Sequence, residues 1–389
     1  MDQSAGGGGS HDSEERVLVL QGGGALGAYQ AGVYEVLAAR GMTPRWIAGI
    51  SIGAINAAII AGNPPQRRVE RLRRFWETVT SQASPWQPEL ALAQTGPLRA
   101  AQNNAFAAWG AVFGLPGFFR PRFPAAPFQV PGTPAALSYY DTEPLRKTLE
   151  DLVDFDFLNR GSTRLSIGAV NVLSGNFSYF DTTRQRVDVR HVMASGALPP
   201  GFPPVEIDGN WYWDGGLVSN TPLQYVLDQP EADRTLVFQV DLFVAQGPMP
   251  RDLADVAERE KDIRFSSRTR LNTTNSLSRH SLALAAQRLL ARLPPELAAD
   301  PDARVLQAAS RARSVTVVHL IHRRKQYETQ SKDYEFSRTS MLEHWEAGRT
   351  DMDCTLEHPE WISRAPPVDG VQVFDLAHLD QPTAEIVTP

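Results

Sequence analysis

The feature that most constrains the fold of this chain is a long stretch without charge. No charged residue occurs from Ile47 to Asn63, and this stretch contains "GISIGAINAAII". The preceding residues, "RWIAGI" at 45–50, have the pattern of a buried strand, and an unusually apolar helix follows. A helix that is apolar on every side must be covered on every side. We therefore predict that this strand and this helix lie inside a large core.

Strand and helix patterns alternate around this stretch. A short apolar strand is predicted at residues 16–21, a helix at 28–40 and an amphipathic surface helix at 67–80. The later strand patterns lie at residues 164–172, 176–181, 235–243 and 314–322. This order predicts an α/β fold in which helices cover both faces of a parallel or mostly parallel sheet.

Residues 81–140 interrupt the alternation. They are rich in proline, alanine and aromatic residues, as in "WGAVFGLPGFFRPRFP". One interpretation is a long insertion that packs its aromatic side chains onto the core. The other is a lid, or a flap that contacts lipid, over a functional site. Residues 100–119 lack charge but contain Pro116 and several side-chain amides, so a membrane span is not predicted there.

The composition excludes several classes of protein. The net charge of −6 over 389 residues argues against a general nucleic-acid binder, which needs a basic face. The single cysteine, Cys354, cannot form a disulfide within the chain and fits a reducing compartment. Residues 1–14 are polar and glycine-rich, without the apolar core of a signal peptide, and are predicted to form a disordered tail. A cytoplasmic location is the expectation.

A glycine-rich loop follows the first predicted strand. "LQGGGALG" contains the pattern G-x-G-x-x-G between Gly22 and Gly27, directly before a predicted helix. A dinucleotide site would need an acidic residue roughly twenty positions further on, and none occurs between Glu35 and Glu70. The Gly-Lys-Ser/Thr of a phosphate loop is also absent. What the loop still indicates follows from its backbone. Glycines permit a sharp turn, and amides at a helix start point toward an anion. An oxyanion hole has the same requirements.

The serine in "GISIG" lies where a strand passes into a helix. A nucleophile elbow presents a serine on such a turn, and the flanking glycines, here Gly49 and Gly53, avoid steric clashes there. The pattern therefore makes Ser51 a candidate nucleophile. The alternative is that Ser51 is only a small residue where two elements pack closely.

A nucleophilic serine needs a general base. None of the eight histidines has a clear local signature, and the best of them, His191, is more typical of a helix face. The stronger candidate is Asp214 in "WYWDGG", at the end of an aromatic strand, where Gly215 and Gly216 permit another backbone to approach. A carboxylate beside an apolar wall becomes a better base. A plain Asp-Gly turn is the alternative.

Four motifs in this order resemble the patatin-like phospholipases: "QGGGALGAYQAGV", "GISIGAINAAI", "ASGALPPGFPPV" and "YWDGG". The resemblance covers about residues 15–245. It implies a three-layer α/β/α patatin-like fold with a central, mostly parallel sheet, and hydrolysis of the acyl esters of lipids through a Ser-Asp dyad without histidine. It implies no metal and no cofactor for this reaction.

The resemblance also implies roles for individual residues. Ser51 would be the nucleophile, and Asp214 would take its proton and return it to the leaving alcohol. Gly22, Gly23 and Gly24 would supply amides to the oxyanion. The family often has Arg or Lys two residues after the third glycine of this loop, where this chain has Leu26. If that side chain neutralises anionic head groups, this protein would prefer neutral esters.

We thus expect a tail at 1–14, a catalytic domain at 15–247 with the insertion at 81–140, and a largely helical C-terminal extension at 248–389 of unknown role. The expected partner is a lipid ester, with peripheral membrane contact and no nucleic acid; the oligomeric state is left open. A lipid-binding or scaffolding protein with a degenerate site is the alternative, as is a nucleotide-binding oxidoreductase that uses the glycine loop. The sequence does not distinguish phospholipids, lysophospholipids, acylglycerols and polyesters as substrates.

Overall fold

The computed structural model describes residues 14–81, 96–229, 234–298, 300–309, 314–323, 328, 330–365, 367 and 370–376. Residues 1–13 of the predicted tail and residues 82–95 of the insertion lie outside this set.

A single nine-stranded sheet forms the centre of the fold. Its order is β11-β10-β9-β1-β2-β5-β8-β7, and β6 also pairs with β5. The pairs from β11 through β5 are parallel, whereas β6, β7 and β8 pair antiparallel. β3 and β4 form a separate two-stranded sheet. The strands are β1 (Glu15–Leu20), β2 (Trp46–Gly49), β3 (Arg120–Pro121), β4 (Tyr140–Asp141), β5 (Arg164–Asn171), β6 (Phe177–Asp181), β7 (Val205–Ile207), β8 (Asn210–Asp214), β9 (Arg234–Asp241), β10 (Ser314–Ile321) and β11 (Gly370–Phe374).

Helices connect and cover the strands. They are α1 (Ala28–Ala39), α2 (Ile52–Ala61), α3 (Arg68–Val79), α4 (Pro97–Phe113), α5 (Glu143–Leu152), α6 (Phe155–Arg160), α7 (Val189–Ser195), α8 (Leu223–Asp228), α9 (Leu253–Leu290), α10 (Pro295–Ala298), α11 (Pro301–Ala309), α12 (Arg338–Glu357) and α13 (Pro359–Ile362). None of the described helices combines the length and the apolarity that crossing a bilayer requires.

The hydrophobic core has a part on each face of the sheet, because neighbouring residues of a strand point to opposite faces. Leu18 and Leu20 of β1 belong to the larger part, and Val17 and Val19 belong to the smaller one. All ten residues of α2 are buried, as the charge-free stretch predicts. The predicted fold class is confirmed: a mostly parallel sheet is covered by helices on both faces.

The region after residue 247 shares the sheet with the region before it. β10 pairs with β9 over eight residues, and β11 pairs with β10. α12 crosses α1 at very close range: a Cβ on Gly32 would lie 1.9 Å from the carbonyl oxygen of Trp345, and one on Gly348 would lie 2.0 Å from that of Tyr29. Only glycine permits two helix backbones to approach this closely.

The described part of the insertion is ordered around α4. This helix has 17 residues, and β3 pairs antiparallel with β4 at the end of the insertion. Several large apolar side chains between them face solvent, among them Phe123, Phe128 and Val130.

Candidate active site

Ser51 lies on the turn between β2 and α2. Its backbone has φ 55° and ψ −122°, and Asp208 is the one other non-glycine residue with positive φ in the described part of the chain. Such a conformation is strained for a residue with a Cβ and persists where the surrounding structure enforces it. The flanking residues must be glycines, because a side chain at either position would clash with the backbone. A Cβ on Gly49 would lie 2.4 Å from the carbonyl oxygen of Gly53, and one on Gly53 would lie 2.4 Å from that of Leu20.

The sequence did not reveal the residue that holds this turn. The amide of Ser51 donates a hydrogen bond to Oγ of Ser195 (3.0 Å), which in turn donates to the carbonyl oxygen of Gly168 (2.7 Å). Ser195 is fully buried at the end of α7, 144 positions away in the chain. The strained turn is therefore attached to both α7 and β5.

Asp214 ends β8 and faces the same turn. Its carboxylate accepts a hydrogen bond from the amide of Gly216 (2.7 Å), and the hydroxyl of Ser51 lies near enough to lower the pKa of the carboxyl group. Burial raises the pKa of Asp214 to about 7, and the interactions with Ser51 and Gly216 partly oppose this shift. Gly215 permits the approach, because a Cβ there would lie 2.7 Å from the carbonyl oxygen of Gly168.

The glycine loop lies beside Ser51, and its three glycines differ in their surroundings. The amide of Gly22 donates to the carbonyl oxygen of Asn220 (3.1 Å), whereas no backbone hydrogen bond is made by the amides of Gly23 and Gly24 among the described residues. Gly24 has a φ of 54°, and a Cβ there would lie 1.9 Å from the carbonyl oxygen of Asp333. The amide of Gly22 is thus engaged by Asn220, and its role as an oxyanion donor stays a prediction.

Asn220 is a second residue that the sequence did not single out. Its side-chain amide donates to the carbonyl oxygen of Gly22 (2.8 Å), and its own carbonyl accepts from the amide of Gly22. A Cβ on Gly22 would lie 2.4 Å from Oδ1 of Asn220. This reciprocal pair fixes the glycine loop to the turn that follows Asp214. Only its place in "LVSNTP", six residues after Asp214, could have drawn attention to it.

A cavity of about 590 Å³ opens onto these groups. Ser51 and Asp214 line it at one point, and most of its remaining wall is apolar. Residues from distant parts of the chain supply the aromatic wall, namely Phe118, Phe119, Tyr139, Tyr140, Phe202, Phe243, Phe265, Tyr334 and Phe336. The cavity thus provides an apolar space ending at a serine and a carboxyl group.

Two other residues considered from the sequence lie elsewhere. His191 is buried in α7, where its ring accepts a hydrogen bond from the amide of Asp188 (3.0 Å) and completes a capping box. It does not line the cavity. Leu26 is fully buried in the core, so its side chain offers nothing to a ligand.

A family model described as patatin-like phospholipase matches residues 18–227, more than half of the chain. The chain belongs to the patatin-like phospholipase family. A second model, described as patatin phospholipase, matches residues 263–368 of this patatin-like phospholipase. The predicted resemblance is confirmed, and with it the assignment to a family of lipid hydrolases.

Solved structures show a more distant similarity. VipD from Legionella pneumophila is 14% identical with a TM-score of 0.33, covering 86% of this chain and 67% of that one. ExoU of Pseudomonas aeruginosa, solved as a heterodimer with SpcU, is 18% identical with a TM-score of 0.28. The match covers 76% of this chain and 60% of the ExoU chain. The chain thus spans 60% of the length of that ExoU chain. Likeness at this level supports no conclusion about activity or partners. A search of curated protein sequences gave no significant match.

Proposed function

We propose that this patatin-like phospholipase is a serine acyl hydrolase that cleaves lipid esters through Ser51 and Asp214. One observation carries the proposal: a serine in a strained conformation and a buried carboxyl group whose pKa that serine lowers lie together in the wall of one apolar cavity. A scaffold has no need of a strained serine, because backbone strain is kept where surrounding contacts enforce it and is concentrated at functional sites.

The proposed reaction has two steps. Asp214 takes the proton of Ser51 as Oγ attacks the ester carbonyl, and it returns that proton to the leaving alcohol. Water, deprotonated by the same carboxylate, then attacks the acyl-enzyme, and Asp214 returns this proton to Oγ of Ser51 as the fatty acid leaves. A pKa of about 7 suits this exchange, since efficient general bases have a pKa near the working pH. Gly23 and Gly24 are the proposed oxyanion donors, because their amides are not taken by other backbone groups of the described chain.

The proposed substrate is a neutral lipid ester or a lipid with a small head group, with its acyl chain in the aromatic cavity. The cavity wall is largely apolar, and Leu26 provides no cation where the family often has one. The proposal covers both neutral lipid esters and lipids with a small head group and does not choose between them.

We further propose that the insertion brings the enzyme to a lipid surface. Phe123, Phe128 and Val130 are 99%, 81% and 68% exposed, an unusual amount for large apolar side chains close together in the chain. The same insertion supplies Tyr139 and Tyr140 to the wall of the cavity. A membrane contacted by the exposed side chains would lie beside the entrance for substrate.

The decisive experiment combines covalent labelling with ester turnover. A fluorophosphonate probe should label the wild-type protein at Ser51, and Ser51→Ala should lose both labelling and fatty-acid release. Asp214→Asn should release fatty acid about 10²–10⁴-fold more slowly, the usual contribution of a general base. Ser195→Ala serves as a control, because it removes a support of the turn and leaves both reacting groups.

Labelling that persists in Ser51→Ala would overturn the assignment of the nucleophile. Normal turnover in Asp214→Asn would overturn the assignment of the base. Binding of the wild type to lipid vesicles without turnover of any ester would favour the lipid-binding alternative.

A further inference from the structure

Three side chains that commonly bind metal ions meet inside the protein, away from the cavity of Ser51. His322 follows β10, His344 lies on α12, and Glu328 lies between them in the chain. All three are buried, with 3–4% of each residue exposed. Each offers one ligand atom, and these atoms lie within 4.8 Å of one another.

The spacing of these atoms suits a metal ion. Nε2 of His344 lies 3.1 Å from Oε1 of Glu328, and Nε2 of His322 lies 3.3 Å from the same oxygen. Zinc bonds of about 2.0–2.2 Å place neighbouring ligands of a tetrahedral site roughly 3.3 Å apart. The nitrogen–oxygen distances therefore already match two edges of such a tetrahedron.

The hydrogen bonding of the cluster is incomplete. Nε2 of His322 is buried and lacks a hydrogen bond within the described part of the chain, although the carboxylate of Glu328 is near. Nδ1 of His344 is also buried and lacks a hydrogen bond within the described part of the chain. Buried polar atoms without a hydrogen bond are rare and call for an explanation, such as a bound ion. An ion bound to both Nε2 atoms would give Nε2 of His322 the partner that it lacks. It would also place the ring proton of His344 on Nδ1.

We propose that His322, Glu328 and His344 bind a divalent transition-metal ion of the zinc type. Two imidazoles and a carboxylate are a known protein ligand set for zinc, with water completing the tetrahedron. This site goes beyond the proposed function, because it uses none of the groups assigned to ester hydrolysis. A hydrogen-bonded His–Glu–His cluster without an ion is the competing explanation.

A surface cleft of about 450 Å³ reaches one of the three ligands, His322. Its wall includes the carboxylates of Glu343, Glu346 and Asp351 together with the guanidinium of Arg323. Acidic groups along a cleft raise the local concentration of cations. The cleft therefore offers a side from which an ion could approach His322.

The ion would connect three elements next to the glycine loop. Residues 330–336 follow Glu328, and within them the carbonyl oxygen of Asp333 accepts a hydrogen bond from the amide of Ala25 (2.8 Å). Tyr334 and Phe336 line the cavity. An ion held by β10, α12 and Glu328 would thus fix the segment against which the glycine loop rests. Its role is structural.

The experiment measures metal binding by the full chain. Purified protein is stripped with a chelator, passed through gel filtration, and titrated with Zn²⁺ and, in parallel, with Co²⁺. His344→Gln and Glu328→Gln each remove a ligand but keep a group that can hydrogen-bond. His358→Asn is the matched control, because His358 caps α13 outside the cluster and asparagine also caps helices.

We expect about one Zn²⁺ per chain in the wild type and in His358→Asn, retained through gel filtration. Loss of a direct ligand should weaken binding by at least about 100-fold, the upper end of the effect of losing an outer-shell partner. Co²⁺ should give the intense visible absorption of a four-coordinate site. Wild-type affinity no higher than that of His344→Gln, or a Co²⁺ spectrum of the hydrated ion, overturns the proposal. If a ligand variant does not fold, the wild-type stoichiometry and the Co²⁺ spectrum decide alone.

Discussion

The burial of Asp214 predicts a variant that is more stable than the wild type and nearly inactive. An aspartate in an unfolded chain has a pKa near 3.8, whereas the pKa of Asp214 in the folded protein is about 7. Between these values the folded state holds a proton that the unfolded state has lost. The contribution of Asp214 to the free energy of unfolding therefore falls as the pH rises from about 4 to about 7.

The size of this effect follows from the two pKa values. Each unit of difference is worth about 1.36 kcal/mol, so a difference of roughly 3 units costs the wild type about 4 kcal/mol above pH 7. Asp214→Asn removes the titration and keeps an oxygen for the amide of Gly216. The stability of Asp214→Asn relative to the wild type should therefore rise by about 3 kcal/mol between pH 4.5 and pH 8.

Urea unfolding at several pH values measures the free energy of unfolding of Asp214→Asn relative to the wild type. Any effect of the substitution that is independent of pH drops out when these differences are compared between pH values. Asp208→Asn is the control, because Asp208 is exposed at a turn and has the positive φ that asparagine tolerates. We expect its relative stability to change by less than about 0.5 kcal/mol over the same range. A pH-independent difference between Asp214→Asn and the wild type would refute the reasoning that burial holds this carboxylate in a high-energy ionised state.

Three further predictions test other parts of the site. The kcat/KM for a soluble ester should fall on the acid side with an apparent pKa near 7, to about 1% of its plateau at pH 5; a limb near pH 4 would contradict the role of Asp214. Gly24→Ala should lower kcat at least about 100-fold in a folded protein, because its Cβ would lie 1.9 Å from the carbonyl oxygen of Asp333 and displace a proposed oxyanion donor; circular dichroism checks the fold, and unchanged kcat would count against that donor. His191→Gln, which can keep the capping box, should retain turnover within about twofold, whereas a loss like that of Asp214→Asn would make His191 the base.

The sequence predicts those features that depend on neighbours along the chain. The strand before Ser51, the turn and the apolar helix after it all follow from local pattern, and the structure contains them as β2 and α2. The steric need for Gly49 is local as well, because it arises against Gly53, whereas the need for Gly53 arises against Leu20 of β1, far away in the chain. The fold class was predictable for the same reason, since it depends on the order of strands and helices.

What the sequence could not predict depends on residues distant in the chain. Ser195 supports Ser51 across 144 positions, and Asn220 holds Gly22 across 198. Neither has a local pattern that separates it from an ordinary serine or asparagine. The pairing of His322 with His344 has the same character, since no short motif joins them. Such contacts depend on which strands and helices meet, and periodicity does not specify that.

The close crossing of α1 and α12 bears on how this chain could be divided. Residues after 247 add α12, which packs against α1 through glycines at the crossing. They also add β10, which pairs with β9 and extends the sheet of the preceding part. A fragment ending there would leave β9, still paired with β1, as an exposed edge strand and would uncover one side of α1, which are features that promote aggregation. A break in α10, whose four residues are exposed, would instead leave both pieces with their full interface. The chain can therefore tolerate being split at that segment more readily than being shortened at the end of the family motifs.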